Sequence, residues 1–248
     1  MPSPDTFPAL LQAELRVDPA RPFVTFYDHD SGERVELSLT TYANWVAKTA
    51  GLLQDELDGE RGGLVLVDLP THWLGAVWLG AVWSVGMAVT DDPGLADEAD
   101  LVVCGPDGVA AYAEHAGRVP VVALSLRPRG ARFAEPLPTG VVDYGAVVLA
   151  QPDAFVALHP PAAGDAAWRD GAVTSTQADL LAAARDSDLL RDGGRLLTDV
   201  NPVRATGLRT LLSPLGRRGG TVWVRHPEPT RWDALAEQER VTDRLRAR

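Results

Sequence analysis

The sequence predicts an α/β fold built on mainly parallel sheet flanked by helices, and three observations predict it. Short apolar runs of strand length alternate with longer segments whose apolar residues recur every three to four positions. Several strand runs, such as "GLVLVDLP" at 63–70 and "DLVVCG" at 100–105, are apolar without alternation, the pattern of strands covered on both faces. With 46% apolar residues over 248 positions, there is enough nonpolar side chain for a large core.

The elements follow in order. "PALLQAEL" reads as a short helix ending near Asp18 and Pro19. "PFVTFYD" and "RVELS" alternate apolar and polar residues around the turn "HDSGE", a hairpin signal. Tyr42, Trp45, Val46, Thr49, Leu52 and Leu53 then recur at helical spacing, behind Ser38, Thr40 or Thr41 as N-cap. After the 63–70 strand, Thr71 is the expected cap of a helix from His72 to Val85 that is apolar all round, as a helix placed centrally against a sheet should be. Strands are expected at "GMAVT", "DLVVCG" and "VPVVALS", with a helix near "DGVAAYAEHA". Residues 127–140 hold three prolines and read as a surface loop, while "VDYGAVVLAQ" leans to helix. "DAFVALH" and "WRDGAVTS" read as one strand each, followed by a helix at "TQADLLAAARDSDLL". "GRLLTDV", a helix over "PVRATGLRTLLSPLG", the strand "GGTVWVRHP" and the helix "TRWDALAEQER" complete the series. There are no internal repeats and no long linker. One α/β domain over 1–248 is expected, with any internal subdivision at 127–140.

Composition narrows the function. A net charge of −11 argues against nucleic acid or an anionic membrane surface as partner, since both need a basic face. Arg204, Arg209, Arg217, Arg218 and Arg225 gather in one segment, but scattered solvated arginines are the simpler reading. Cys104 lies in an apolar run and reads as a buried strand thiol. The N-terminus lacks a basic region followed by an apolar one, so no secretion signal is expected, and a cytoplasmic protein is. "WLGAVWLGAVWSVGMAV" approaches bilayer length, yet three glycines and the nearby Asp68 and His72 suit a buried helix of a soluble protein better.

Catalytic signatures are sparse. His29, His72, His115, His159 and His226 lie in different segments without a second ligand at metal spacing, so no metal site is expected. There is no G-x-S-x-G elbow and no G-x-x-x-x-G-K-[ST] loop. Asp91 and Asp92 could meet a cation but read better as a solvated turn before Pro93. His72 near Asp68 reads as a helix-start histidine, and Trp73, Trp78 and Trp83 read as core.

Taken together, several blocks resemble the acyl-adenylate-forming enzymes: acyl-CoA synthetases, luciferases and peptide-synthetase adenylation domains. "DPARPFVTFYDHDSGERVELSLTTYANWVAKTAGLL" is similar to their opening, and "GGLVLVDLPTHWLGAVWLGAVWSVGMAV" to the block that follows. "VTSTQADLLAAA" resembles the helix after their phosphate loop, and "LLSPLGRRGGTVWVRHPEPTRWDALAEQERVT" their P-L-x-x-G-G-T-V block. The blocks occur in the family's order along nearly the whole chain. The resemblance implies the α/β architecture of that family's N-terminal subdomains. The short length and the arginine-rich composition, with its single lysine at Lys48, point to a truncated actinobacterial branch.

The family's phosphate loop reads T-S-G-T-T-G-x-P-K-G, and residues 162–171 read A-A-G-D-A-A-W-R-D-G over the same ten positions. Gly164 and Gly171 match; Asp165 replaces a threonine, Arg169 the proline and Asp170 the lysine. A phosphate loop works by aiming N–H and hydroxyl donors, balanced by a cation, at anionic oxygens. A carboxylate about 4 Å from a phosphate costs about 4 kcal/mol at an effective dielectric near 20, roughly a thousandfold in affinity. Arg204 falls on the histidine of the family's F-H-x-x-G segment and Gly207 on its glycine. The segment that contacts adenine and Mg²⁺, the ribose-binding aspartate and the domain carrying the adenylation lysine have no counterpart here. The expected nucleotide-facing residues are therefore Gly164, Asp165, Arg169, Asp170, Gly171 and Arg204, a degenerate set with no catalytic residue. No cofactor is expected, and ATP or AMP is disfavoured. The leading expectation is a non-catalytic binding or regulatory module with a protein partner, or self-association, through surfaces that truncation exposes. A ligand sensor, and an acid-adenylating enzyme completed in trans, stay open beside it.

Overall fold

A computed structural model describes residues 4–247. In chain order the elements are α1 (Phe7–Leu15), β1 (Pro22–Asp28), β2 (Arg34–Ser38), α2 (Leu39–Gly51), β3 (Leu64–Asp68), α3 (Trp73–Val85), β4 (Ala88–Thr90), β5 (Leu101–Cys104), α4 (Val109–Tyr112), β6 (Val121–Ala123), β7 (Val141–Asp143), α5 (Tyr144–Val147), β8 (Ala166–Asp170), β9 (Val173–Thr176), α6 (Gln177–Asp186), β10 (Arg195–Thr198), α7 (Arg209–Gly216), β11 (Gly220–Arg225), α8 (Trp232–Gln238) and β12 (Asp243–Leu245). The strands form two sheets, one of five in the order β12-β10-β11-β1-β2 and one of seven in the order β7-β6-β5-β3-β4-β8-β9. Neighbours are parallel throughout, except the hairpins β1–β2 and β8–β9 at the sheet edges. The expected α/β class with parallel sheet and flanking helices is what the chain adopts.

Both faces of each sheet are covered, which explains the unbroken apolar runs. Along β5, Leu101 and Val103 enter the main core while Val102 and Cys104 enter a second cluster on the opposite face, beside Tyr112 of α4. Along β11, Trp223 enters the main core, and Val222 and Val224 pack with Trp232 and Leu235 of α8. This is the two-residue period of an extended chain. All thirteen residues of α3 are buried, and ten of them, Trp73, Trp78 and Trp83 included, form part of the main core. Among the described residues, no helix is long and apolar enough to cross a membrane.

Local signals decide most element ends. The Ser38 side chain caps α2 by accepting from the Thr41 N–H. Gly86, at φ 92°, ends α3 in the left-handed conformation that only glycine adopts freely. The expected Thr71 cap of α3 is corrected to His72, whose Nδ1 accepts from the Leu74 N–H at 3.2 Å.

Other expectations are corrected too. "VDYGAVVLAQ" is divided: Val141–Asp143 is an edge strand, and Asp143 caps the helix that follows it. "WRDGAVTS" is not one strand but most of a hairpin, reversed at Gly171 and Ala172, with Gly171 at φ 55°. The helix expected from residue 202 starts only at Arg209, because 201–208 is a series of turns closed by Gly207. "DAFVALH" joins no sheet. Pro152 and Pro160, which have no N–H to donate, bound it on either side. The three-residue strand β12 carries no signal long enough to read from sequence.

Candidate functional site

The C-terminal edge of a parallel sheet is where α/β proteins gather binding residues. In the seven-stranded sheet that edge carries Asp68 at the end of β3, Asp91 just after β4 and Cys104 at the end of β5. The turn after β10 brings Arg204 across from the five-stranded sheet. One guanidinium nitrogen of Arg204 donates to both the backbone O and Oδ2 of Asp91, each at 3.2 Å, and the other stands 3.6 Å from Asp68 Oδ1. The Tyr112 hydroxyl donates to Asp68 Oδ2 at 3.1 Å. Burial, then the Asp68 charge, raises the Tyr112 hydroxyl well above the usual phenol range and pushes the Cys104 thiol up to about 12. This edge is a network of satisfied pairs.

The Arg204 turn is built by its neighbours. The Asn201 side-chain amide donates to the Leu69 carbonyl at 2.8 Å, and its Oδ1 accepts from Val203 N–H at 3.1 Å. Gly207 is required for space: a Cβ there would stand 1.8 Å from the Asn201 carbonyl oxygen. Beside the turn lies a cleft of about 590 Å³, lined by Asn201, Arg204, Thr206 and Arg209 with Arg246 at its far side. Arg246 is paired with Asp199 at 3.0 Å.

The structure does not bring the sequence-predicted residues into one pocket. Val89 of β4 lies opposite Trp168 of β8 in parallel register, so β8 runs from the N-terminal edge of the sheet to its C-terminal edge. Gly164 and Asp165 precede it, and Asp170 and Gly171 end it. Five residues of strand, about 16 Å at some 3.3 Å each, separate the two ends. At the near end Asp165 receives both Arg61 Nε, at 2.6 Å, and Arg61 Nη2, at 2.7 Å, together with the Ala162 N–H at 2.8 Å. The Arg61 hydrogen bond is the largest reason that the Asp165 carboxyl is held below the usual carboxylate range. At the far end Arg169 donates to Glu98 at 2.5 Å, and Asp170 is exposed at the hairpin turn. The reading of 162–171 as one loop edged by two carboxylates is therefore corrected. Most of it is strand, because Ala167 and Trp168 are buried in the core.

Sequence reasoning missed Arg61, Glu98 and Tyr112. Arg61 and Glu98 meet their partners across 104 and 71 residues, so nothing local marks them. Lys48 straps the segment after α5: its Nζ donates to the Gln151 carbonyl and stands 3.1 Å from Asp153 Oδ1. Arg204 and Arg217 take part in unconnected networks, since Arg217 donates to the Arg185 and Ser187 carbonyls at the end of α6. The arginine-rich segment thus forms no single patch. Among the described residues no group of three or more His, Cys, Asp or Glu side chains is placed to hold a metal ion.

Comparison with known proteins gives the fold a context. The structure is similar to an acyl-CoA synthetase from Brucella canis (TM-score 0.73, 19% identity), covering 92% of this chain and 44% of that one. It is also similar to a fatty acyl CoA synthetase from Mycobacterium tuberculosis (TM-score 0.73, 14% identity), covering 96% of this chain and 48% of that one. The chain thus spans less than half the length of either enzyme, and the likeness shows the fold. No protein-family model matches the sequence. A TIGR03089 family protein of Mycobacterium tuberculosis (strain ATCC 25618 / H37Rv) is 36% identical over 254 aligned residues, covering 94% of this chain and 95% of that protein. At that identity over nearly the whole of both sequences, this chain belongs to the TIGR03089 family, and its fold is that of the N-terminal region of the acyl-CoA synthetases.

Proposed function

We propose that this chain is a cytoplasmic, non-catalytic member of the AMP-binding-ligase fold, a binding or regulatory module that neither activates a carboxylic acid nor holds ATP. One observation carries the reading: both cations expected to face phosphates are already engaged by carboxylates. Arg169 is held by Glu98 at 2.5 Å, and Arg204 by Asp91 at 3.2 Å. The residues present do not fit a triphosphate for two further reasons. The segment that would wrap it is a strand reversed over two residues, and the single lysine is paired with Asp153 on another segment. Releasing either arginine to a nucleotide would leave Glu98 or Asp91 beside a phosphate, a like-charge contact. A protein partner, or a second copy of this chain, is the ligand class this reading favours.

The test is ATP–pyrophosphate exchange by the purified chain with a panel of aliphatic and aromatic carboxylic acids, beside thermal melts with ATP and AMP. No exchange and no nucleotide-dependent rise in Tm are expected, since any ligand that binds only the folded state must raise stability. Exchange that disappears in Arg204→Ala overturns the reading and makes the chain an acid-adenylating enzyme in its own right. A second reading, an acyl-ligand sensor, draws on the cleft beside Arg204 and Arg209. It is supported if a free acid or acyl-CoA raises Tm and Arg209→Ala removes the rise.

A further inference from the structure

The segment 152–160, "PDAFVALHP", has a strand's sequence and no strand partner. Among the described residues, no backbone N–H or C=O of 152–157 is hydrogen-bonded. The segment is nonetheless held in place. Lys48 binds it at Gln151 and Asp153, the Leu158 N–H donates to Gln54 Oε1 at 2.9 Å, and the Gln151 amide donates to Glu56. The chain bends at Asp153 and again at Leu158–His159, and along the unbent stretch between them the side chains alternate in exposure. Phe155 and Ala157 are half-buried and line a groove of about 470 Å³ against α1 and α2. Ala154 and Val156, which border the same groove, and Leu158 are exposed, Val156 to 84% and Leu158 to 74%. A run of small and apolar residues with free backbone groups is a template for another strand.

We propose that this segment is a self-association edge, pairing antiparallel with the same segment of a second copy about a two-fold axis through Val156. The sequence is complementary to itself in that register. Val156 faces Val156 of the second copy, Phe155 faces Ala157, and Ala154 faces Leu158, large against small on each face. The bends at Asp153 and Leu158–His159, with Pro152 and Pro160 beyond them lacking an N–H, close the ladder at both ends. A slip of one residue sets Asp153 against Leu158 and turns the side chains to the wrong face. The axis makes the interface isologous and closed, which stops growth at the dimer. The proposal names the partner for the self-association part of the reading above, and does not depend on whether the chain holds ATP.

The test is sedimentation equilibrium of the full chain, combined with cysteine pairing. Cys104 is fully buried and does not compete. The wild type is expected to dimerise. Val156→Cys is expected to cross-link to itself under mild oxidation, because directly opposed positions lie within disulfide reach. Ala154→Cys and Leu158→Cys should each stay uncross-linked alone and cross-link when mixed. Val156→Asp places two carboxylates face to face and should weaken the dimer on the order of a hundredfold. Because Val156 projects into solvent, this variant should keep the monomer's Tm, which a melt verifies. A wild type that stays monomeric up to roughly 100 μM overturns the proposal. So does a dimer that survives Val156→Asp and forms no cross-link through the introduced thiols, which would place its interface elsewhere. Neither result alters the nucleotide assays.

Discussion

Arg61 holds Asp165 with two parallel hydrogen bonds of 2.6 and 2.7 Å, tying the start of β8 to the turn before β3. Bidentate pairing of this kind fixes geometry as well as charge. Asp165→Ala should lower Tm by about 2 °C, a modest effect because the pair is partly solvated. The folded-state carboxyl lies below its ordinary value, so the contribution is complete above the ordinary carboxylate range. It disappears as pH falls through the folded-state value. Melts of wild type and variant from pH 7 down to pH 3 should therefore converge.

Two glycines read from sequence as phosphate-facing are separable by substitution. A Cβ at Gly164 meets nothing within 4 Å and needs no positive φ, so Gly164→Ala should leave Tm unchanged or slightly raised. Gly171 sits at φ 55° in the hairpin turn, where an alanine costs about 1 kcal/mol and a few degrees of Tm. Calorimetry of the two variants checks this directly. A large loss at Gly164 would mean that its backbone approaches something in the folded protein.

His72 should make the protein sensitive to mild acid. It is 1% exposed, packs its ring on Phe26 at 4.7 Å, and caps α3 through Nδ1. Burial, with Arg225 nearby adding to it, pushes its pKa down to about 3. The unfolded chain takes up a proton near the ordinary histidine value while the folded chain resists it. Stability is thus complete above about pH 6.5 and falls toward pH 3, by up to about 1.4 kcal/mol per unit. Asn at this position can still accept from the Leu74 N–H. His72→Asn should show a shallower decline between pH 6.5 and 4 in denaturant titrations, whatever its stability at pH 7.

Gly80 lets α3 approach α1 and α2. A Cβ there would stand 2.7 Å from the Tyr42 hydroxyl, 2.8 Å from Val46 and 2.9 Å from Phe7. The Tyr42 hydroxyl cannot yield freely, since it donates to the Ala76 carbonyl at 3.0 Å. Alanine gains about 1 kcal/mol in helix propensity but overpacks the core by about 1–3 kcal/mol. Gly80→Ala should therefore lower Tm, against the rule for exposed helix positions. A rise in Tm would show that α3 has room to shift.

Much of this was legible from residue order. The hairpin of β1 and β2, the Ser38 cap, the buried all-apolar α3 and the parallel strands all follow from periodicity, capping chemistry and unbroken apolar runs. These depend on neighbours a few positions apart, and such information is carried in the sequence itself. The site was legible only as a list of residue types. Matching 162–171 to a loop, position by position, ignored that Ala167 and Trp168 gain more from burial than the segment gains from staying open. What Arg204, Arg169 and Asp165 do was decided by Asp91, Glu98 and Arg61, which lie 113, 71 and 104 residues away along the chain. The strand-like 153–159 shows the same limit. Its propensity is written in its side chains, but a strand also needs a partner's backbone, and the tertiary fold supplies Lys48 and Gln54 in place of one.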